Sequence, residues 1–171
     1  WQFSRGFRVN GIYRRGSDLV GHLRVVMFSV DDLTIINGSP ADRRRYLDIT
    51  ISQFNREYVR ALQRYNRILL QRNSLLRNLK DQNGTIDELD FWDQEMAEIG
   101  AVILLERQLI VEKLANGAVK NYSELGFDNK NFSINYLPGL PLKLEREIEI
   151  FDLVGRMHEI IREGRHGDVW R

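Results

Sequence analysis

The longest stretch without proline or glycine runs from Ala41 to Asn83, and it limits the chain to folds that accommodate a long helix. Apolar residues recur along it every three or four positions, which is the spacing of one helix face. A helix of this length would extend about 55–60 Å at ~1.5 Å per residue. The predicted apolar face contains Leu47, Ile51, Phe54, Tyr58, Leu62, Tyr65, Leu69, Leu76 and Leu79.

The residues before this stretch are typical of a helix start. Pro40 suits a first turn because its missing N–H is not needed there. Ser39 is a natural N-cap, and Asp42 is favourable near the positive end of the helix dipole. We therefore predict a helix over 40–80, with Asn55 as the point where two shorter helices would form instead.

Two further helices are predicted downstream. A turn at 81–85 precedes a helix over 87–121, whose apolar stripe makes an antiparallel hairpin with the first helix over about 40–121. Residues 132–136 alternate like a strand, and a third helix is expected over 144–163, ending at Gly164. The residues expected to face inward on the third helix are Ile148, Phe151, Val154 and Ile161.

The segment before residue 39 is predicted to be rich in strands. Residues 7–9 and 12–14 flank Asn10-Gly11, a strong hairpin signal. Ser17-Asp18 is expected to cap a short helix reaching Leu23, and the apolar run 25–28 is typical of a buried strand. The prediction is a mainly α (α+β) fold: strand-rich over 1–38, helical over 39–165, and returning over 166–171 to the strand-rich part, with a new strand starting at Val169-Trp170.

Several functions are excluded by the residues available. The sequence contains no cysteine and no G-x-x-x-x-G-K-[ST] phosphate loop. His22, His158 and His166 are too scattered for a metal site, with His158 expected at the surface, and Asp31-Asp32 is a poor metal candidate. We therefore assign no catalytic, cofactor-binding or metal residue and predict no enzyme activity for this chain. No apolar run approaches the ~18–20 residues of a membrane span, and the absence of cysteine fits a cytoplasmic protein.

The positive signal is arginine. Residues 1–80 carry a net charge of +9 and residues 81–171 a net charge of −8. Arginine suits bidentate phosphate contacts, so a DNA-binding stripe is one hypothesis. The alternative is a solvated face or a set of salt bridges to Glu88, Glu95, Glu98 and Glu106 on the second helix. The candidate DNA-binding residues are Arg43, Arg44, Arg45, Arg56, Arg60, Arg64 and Arg67.

Two ordered motifs resemble the RecF family. That family has F-S-P-E-D-L followed by G-x-P-x-x-R-R-x-F-L-D, and here 28–33 reads F-S-V-D-D-L and 38–48 reads G-S-P-A-D-R-R-R-Y-L-D. Val30 and Asp31 depart from the family's Pro and Glu. A second family motif, Y-x-x-x-L-x-Q-R-N-x-L-L, matches 65–76, and a weaker echo is Trp92-Asp93. The motif residues are Gly38, Pro40, Arg43, Arg44, Leu47, Asp48, Tyr65, Gln71, Arg72 and Asn73.

The resemblance implies more than the residues show by themselves. RecF proteins are ABC-type ATPases related to SMC proteins, so 1–38 would belong to the ATPase head and 39–165 to its helical lobe. It implies a full-length protein that forms a dimer with ATP and Mg²⁺, hydrolyses ATP slowly, and binds DNA at single-strand/double-strand junctions. It also implies partnership with RecR and RecO in loading RecA on gaps. A purely structural and protein-interaction arm remains the alternative role of the helical hairpin.

Overall fold

The computed structural model describes residues 6–22, 24–126, 132–142, 144 and 148–169. They form two compact units, Trp1–Val59 and Arg60–Arg171, each of which is considered by itself. The mainly helical class predicted from the sequence is confirmed. No helix among the described residues is long and apolar enough to cross a membrane.

The first unit begins with the predicted hairpin. Strands β1 (Phe7–Val9) and β2 (Ile12–Arg14) pair antiparallel, with Arg8 opposite Tyr13. The turn residues Asn10 and Gly11 have φ angles of +51° and +81°, which this tight hairpin turn requires. A short helix α1 (Gly16–Leu19) follows, so the predicted short helix forms but ends earlier than expected. Leu23, its predicted end, lies outside the described residues.

A sharp corner joins α2 (Thr34–Asn37) to α3 (Pro40–Ser52). The backbone N–H of Gly38 donates to the Thr34 carbonyl at 2.7 Å, and a Cβ at Gly38 would lie 2.4 Å from that oxygen. Only glycine fits so close an approach. On the other side of the corner, Ser39 and Asp42 form a reciprocal capping box, and Pro40 occupies the first helical turn as predicted.

The long predicted helix divides near Asn55, which is the alternative that the sequence offered. α3 ends at Ser52, and α4 (Arg56–Lys80) starts after a break of three residues. The Asn55 side chain accepts the backbone N–H of Tyr58 at 3.0 Å and so caps α4. The Tyr58 hydroxyl, in turn, donates to Asp48 at 2.5 Å.

The second unit is built on α4 from Arg60 onward, α5 (Asp90–Glu124) and α6 (Ile150–Val169). A 3₁₀ turn, Ile86–Leu89, leads into α5. The predicted antiparallel hairpin is present, because Arg72 meets Asp93 while a Cβ at Gly100 would lie 3.6 Å from the Tyr65 ring. The core that joins α5 to α6 consists of Ala97, Ala101, Leu104, Leu153 and Met157.

Two predicted strands are wrong. Residues 25–28 form no strand and are exposed, with Val26 at 99%. Residues 132–136 also form no strand; there the Phe132 ring stacks on Tyr122, and Tyr136 packs against the α5–α6 core. An apolar or alternating run becomes a strand only where another strand completes its hydrogen bonds, and within the described ranges only β1 and β2 pair.

The third predicted helix was misplaced. α6 begins at Ile150 rather than 144, and it continues through Gly164 to Val169, where a new strand was expected. Trp170 lies outside the described residues. Phe151, predicted to face inward, is 84% exposed, whereas Leu153 and Met157 are buried. Glycine inside a helix costs only about 1 kcal/mol relative to alanine, so the buried contacts of the next residue, Arg165, are enough to continue it.

Candidate nucleic-acid interface

The three arginines at the start of α3 do not share one role. Arg43 folds back over the corner, and its Nη1 donates to the carbonyls of Ile35, Ile36 and Gly38 at 3.1–3.4 Å. These bonds close the C-terminal end of α2, so Arg43 has a structural use. Arg44 and Arg45 are exposed, and neither has an ion-pair partner within the described part of the chain.

The arginines of α4 also differ in their surroundings. Arg56 approaches the His22 ring, with 3.3 Å between Nη2 and Nε2. Arg64 forms an ion pair with Glu95 of α5. Arg67 donates to the Gln63 carbonyl one turn back at 3.3 Å. Arg60 and Arg67 are exposed and form no ion pair with any described residue, so these two of the predicted DNA-binding arginines on α4 are available to a ligand.

The alternative of salt bridges to the second predicted helix holds for one of its four glutamates; Glu88 lies in the 3₁₀ turn before α5 and the other three lie on α5. Glu95 pairs with Arg64. Glu88 instead accepts the Thr85 backbone N–H at 2.7 Å, and Glu98 accepts the Gln94 amide at 2.8 Å. Glu106 has no ion pair with a described residue. The acidic face of α5 therefore neutralises only a small part of the arginine stripe on α4.

A buried ionic cluster, missed by the sequence analysis, holds the three helices together. Asp93 of α5 is fully buried and accepts two arginines: Arg72 Nε of α4 at 2.6 Å and Arg165 Nε of α6 at 2.5 Å. Both arginines are 5% exposed. At the rim, Arg165 pairs with Asp90 at 2.5 Å and Arg72 with Asp168 at 3.0 Å. We call Arg72, Asp93 and Arg165 the clasp.

The motif residues fall into three groups. Gly38, Pro40 and Arg43 build the α2–α3 corner. Leu47, Asp48, Tyr65 and Arg72 face inward or bond within their unit, and burial raises the pKa of the half-buried Tyr65. Arg44, Gln71 and Asn73 remain exposed. His158, expected at the surface, is half-buried, and its Nε2 has no hydrogen-bond partner among the described residues.

The charged groups of this cluster stabilise one another's ionised forms. Burial by itself would lower the pKa of Arg165, but its hydrogen bonds to Asp93 and Asp90 more than offset that effect and raise it. The hydrogen bond from Arg165 holds the pKa of Asp90 below its usual 3.8. Arg165 therefore stays charged, and Asp90 keeps its negative charge to lower pH than a free aspartate does.

A pH dependence of stability follows from Asp90. A carboxyl group whose pKa is lowered on folding stabilises the fold above its unfolded pKa of 3.8 and loses that contribution as pH falls through its folded value. We expect Asp90→Asn to lower the melting temperature at neutral pH and to have progressively less effect below pH 3.8. Melting curves of both proteins across the acid range measure this difference. A difference that stays constant into strong acid would contradict the assignment.

Comparisons with known proteins agree with the motif resemblance. The protein named DNA replication and repair protein RecF from Herpetosiphon aurantiacus is 46% identical over 140 residues, covering 81% of this chain and 36% of that protein. The protein of the same name from Chloroflexus aurantiacus is 44% identical over 137 residues, covering 78% of this chain and 35% of that protein. No protein-family model matches the chain.

Two solved structures have a similar fold. One is the recombination mediator protein RecF-ATPrS in the RecFOR pathway, with a TM-score of 0.84 and 31% identity over 95% of this chain and 43% of that chain. The other is RecF-ATP in the same pathway, with a TM-score of 0.78 and 32% identity over 95% of this chain and 44% of that chain. The chain spans about a third of the length of the curated relatives it matches.

Proposed function

Because this chain belongs to the RecF family, we propose that its helical lobe contributes a duplex-binding face to a full-length DNA repair protein, and that α4 carries this face. The observation behind the proposal is the charge distribution on α4. Beyond Glu57 in its first turn the helix contains no acidic residue, while Arg60, Arg64 and Arg67 follow one another at helical spacing. Exposed guanidinium groups in a row neutralise successive phosphates without reading sequence.

The other activities proposed for the full-length protein depend on residues beyond the segment shared here. The solved neighbours are described as RecF-ATP and RecF-ATPrS in the RecFOR pathway. They support the proposal that the full-length protein binds ATP and acts in that pathway with RecR and RecO. Mg²⁺ binding, dimerisation, slow ATP hydrolysis, RecA loading and action in the cytoplasm are proposed from the family resemblance alone. Preference for single-strand/double-strand junctions belongs to the same proposal. This chain contributes no phosphate loop to that chemistry.

A structural arm without DNA contact is the second candidate. The ion pair between Arg64 and Glu95 favours this candidate, and so does the clasp, because the arginines in both bind acidic residues of a neighbouring helix. The two candidates therefore differ most clearly in Arg60 and Arg67, which are exposed and have no such partner among the described residues.

The test is carried out in a full-length RecF protein that contains this chain. Replacing Arg60 and Arg67 with glutamine is expected to weaken binding about tenfold, taking ~0.7 kcal/mol for each exposed charge contact. The loss should be the same for duplexes of unrelated sequence, since phosphate contacts carry no sequence information. Fluorescence anisotropy with several duplexes measures it. Unchanged affinity in a folded variant would support the structural arm instead.

A further inference from the structure

The exposed face of α4 continues beyond its arginines as a row of uncharged polar side chains. Gln71, Ser74 and Asn78 follow Arg67 at steps of four, three and four residues, and all three are exposed. At 3.6 residues per turn they project within about 60° of one another and of Arg60 and Arg67. The face therefore has a basic half and an amide-and-hydroxyl half on one continuous helix.

The rest of the helix surface differs from this face. Arg72 and Leu76 are buried on the side of the core. Asn66 and Asn73 are also exposed amides, but they project about 120–160° away from Gln71 and Asn78. The alignment with the arginines is thus a property of Gln71 and Asn78 and not of every polar residue on α4.

We propose that Gln71, Ser74 and Asn78 extend the duplex-binding face by donating hydrogen bonds to phosphate and sugar oxygens; this inference rests on the proposed function. Side-chain amides and hydroxyls commonly bind the DNA backbone alongside arginine and lysine. From Arg60 to Asn78 the face is about 27 Å long at ~1.5 Å per residue, which is less than one duplex turn of ~34 Å. A single bound duplex is therefore long enough to contact both halves of the face. No acidic residue lies among these positions, and Glu57, in the first turn before Arg60, is the one acidic residue of α4.

The two halves contribute differently to affinity. Each arginine contact releases counterions, so its contribution falls as salt rises. A hydrogen bond from a neutral amide releases none, and its contribution stays nearly constant across salt concentrations. The uncharged half therefore maintains binding at salt concentrations where the arginine half has weakened.

The experiment compares Gln71→Ala/Asn78→Ala with the matched control Asn66→Ala/Asn73→Ala in the full-length protein. Each double variant removes two exposed amides from α4, and alanine favours the helix. The first variant is expected to bind duplex roughly 5- to 30-fold more weakly at every salt concentration, with an unchanged slope of log K against log salt. The control is expected to bind as the parent does. Melting temperatures verify that both variants are folded.

The remaining outcomes separate this inference from the proposed function. If Gln71→Ala/Asn78→Ala binds like the parent while Arg60→Gln/Arg67→Gln binds weakly, the inference fails and the proposed function stands. If neither variant changes binding, both fail. An equal loss in the matched control would also overturn the inference, because the effect would not belong to this face. Lost binding of RecR or RecO with duplex affinity intact would assign the face to a protein partner instead.

Discussion

Replacing Asp93 with alanine is expected to destabilise the chain by about 3–5 kcal/mol, the usual effect of removing one partner from a buried ionic cluster. Asp93 is fully buried and is the residue through which Arg72 and Arg165 are bridged. Its removal leaves two buried guanidinium groups with only their rim partners, Asp168 and Asp90, in a low-dielectric environment where an incompletely compensated charge is strongly unfavourable. Urea denaturation of the parent and the variant measures the change in the free energy of unfolding.

Two companion variants show whether the effect comes from the clasp. Asp90→Asn removes one exposed partner of Arg165 and should cause a much smaller loss. The triple variant Arg72→Met/Asp93→Leu/Arg165→Met replaces all three charges with apolar side chains, and it should recover much of the stability lost by Asp93→Ala. An Asp93→Ala variant as stable as the parent would show that the clasp is not closed in solution.

Local chemistry explains which elements the sequence could predict. The α3 start needs only Ser39, Pro40 and Asp42, whose capping interactions lie within four residues of one another. The α3–α4 break similarly depends on Asn55 and a backbone N–H three residues later. Helical spacing of apolar residues indicated the α4–α5 hairpin because amphipathic helices bury the face that the pattern marks. Each of these signals lies within a single segment of the sequence.

Features that depend on contacts between distant segments could not be predicted from the local sequence pattern. The run at 25–28 is apolar enough for a strand, but strand formation needs a partner that the run does not specify. The prediction for the third helix relied on Phe151 facing inward and on Gly164 ending the helix. In the structure, packing against α5 buries Leu153 and Met157 instead, and the ion pair of Arg165 with Asp93 lies beyond Gly164 in the same helix. A residue that is favourable or unfavourable by itself is overruled by tertiary contacts.

The clasp did leave a signal in the sequence. Arg72 lies between Leu69 and Leu76 on the apolar side of α4, a position where a charged residue is rarely buried unless it is paired. That position indicates a buried partner but does not say which of the many acidic residues provides it. In the structure that partner is Asp93, which is 21 residues from Arg72 in the sequence. Arg165, which is 72 residues from Asp93, binds the other carboxylate oxygen of Asp93.

The arginine face itself was predicted as a set of seven residues, and the structure differentiates them. Arg43 closes the end of α2, and Arg64 pairs with Glu95. Arg60 and Arg67 have no ion pair with a described residue and point from the same side of α4. Spacing alone treats every arginine on a face alike, since it contains no information about what the neighbouring helix presents. The DNA-binding role of all seven remains a prediction.

The salt dependence of duplex binding is the most direct test of the α4 face. In the full-length protein, Arg60→Gln/Arg67→Gln is expected to reduce the slope of log K against log salt by about 1.8, since each lost phosphate contact removes ~0.9. Arg77→Gln is the control, because Arg77 is an exposed cation of the same helix that projects about 100° from Arg60. Binding isotherms across a salt series should show the reduced slope in the double variant and the parental slope in the control. A parental slope in a folded Arg60→Gln/Arg67→Gln variant would contradict the account and leave the helical lobe as a structural arm.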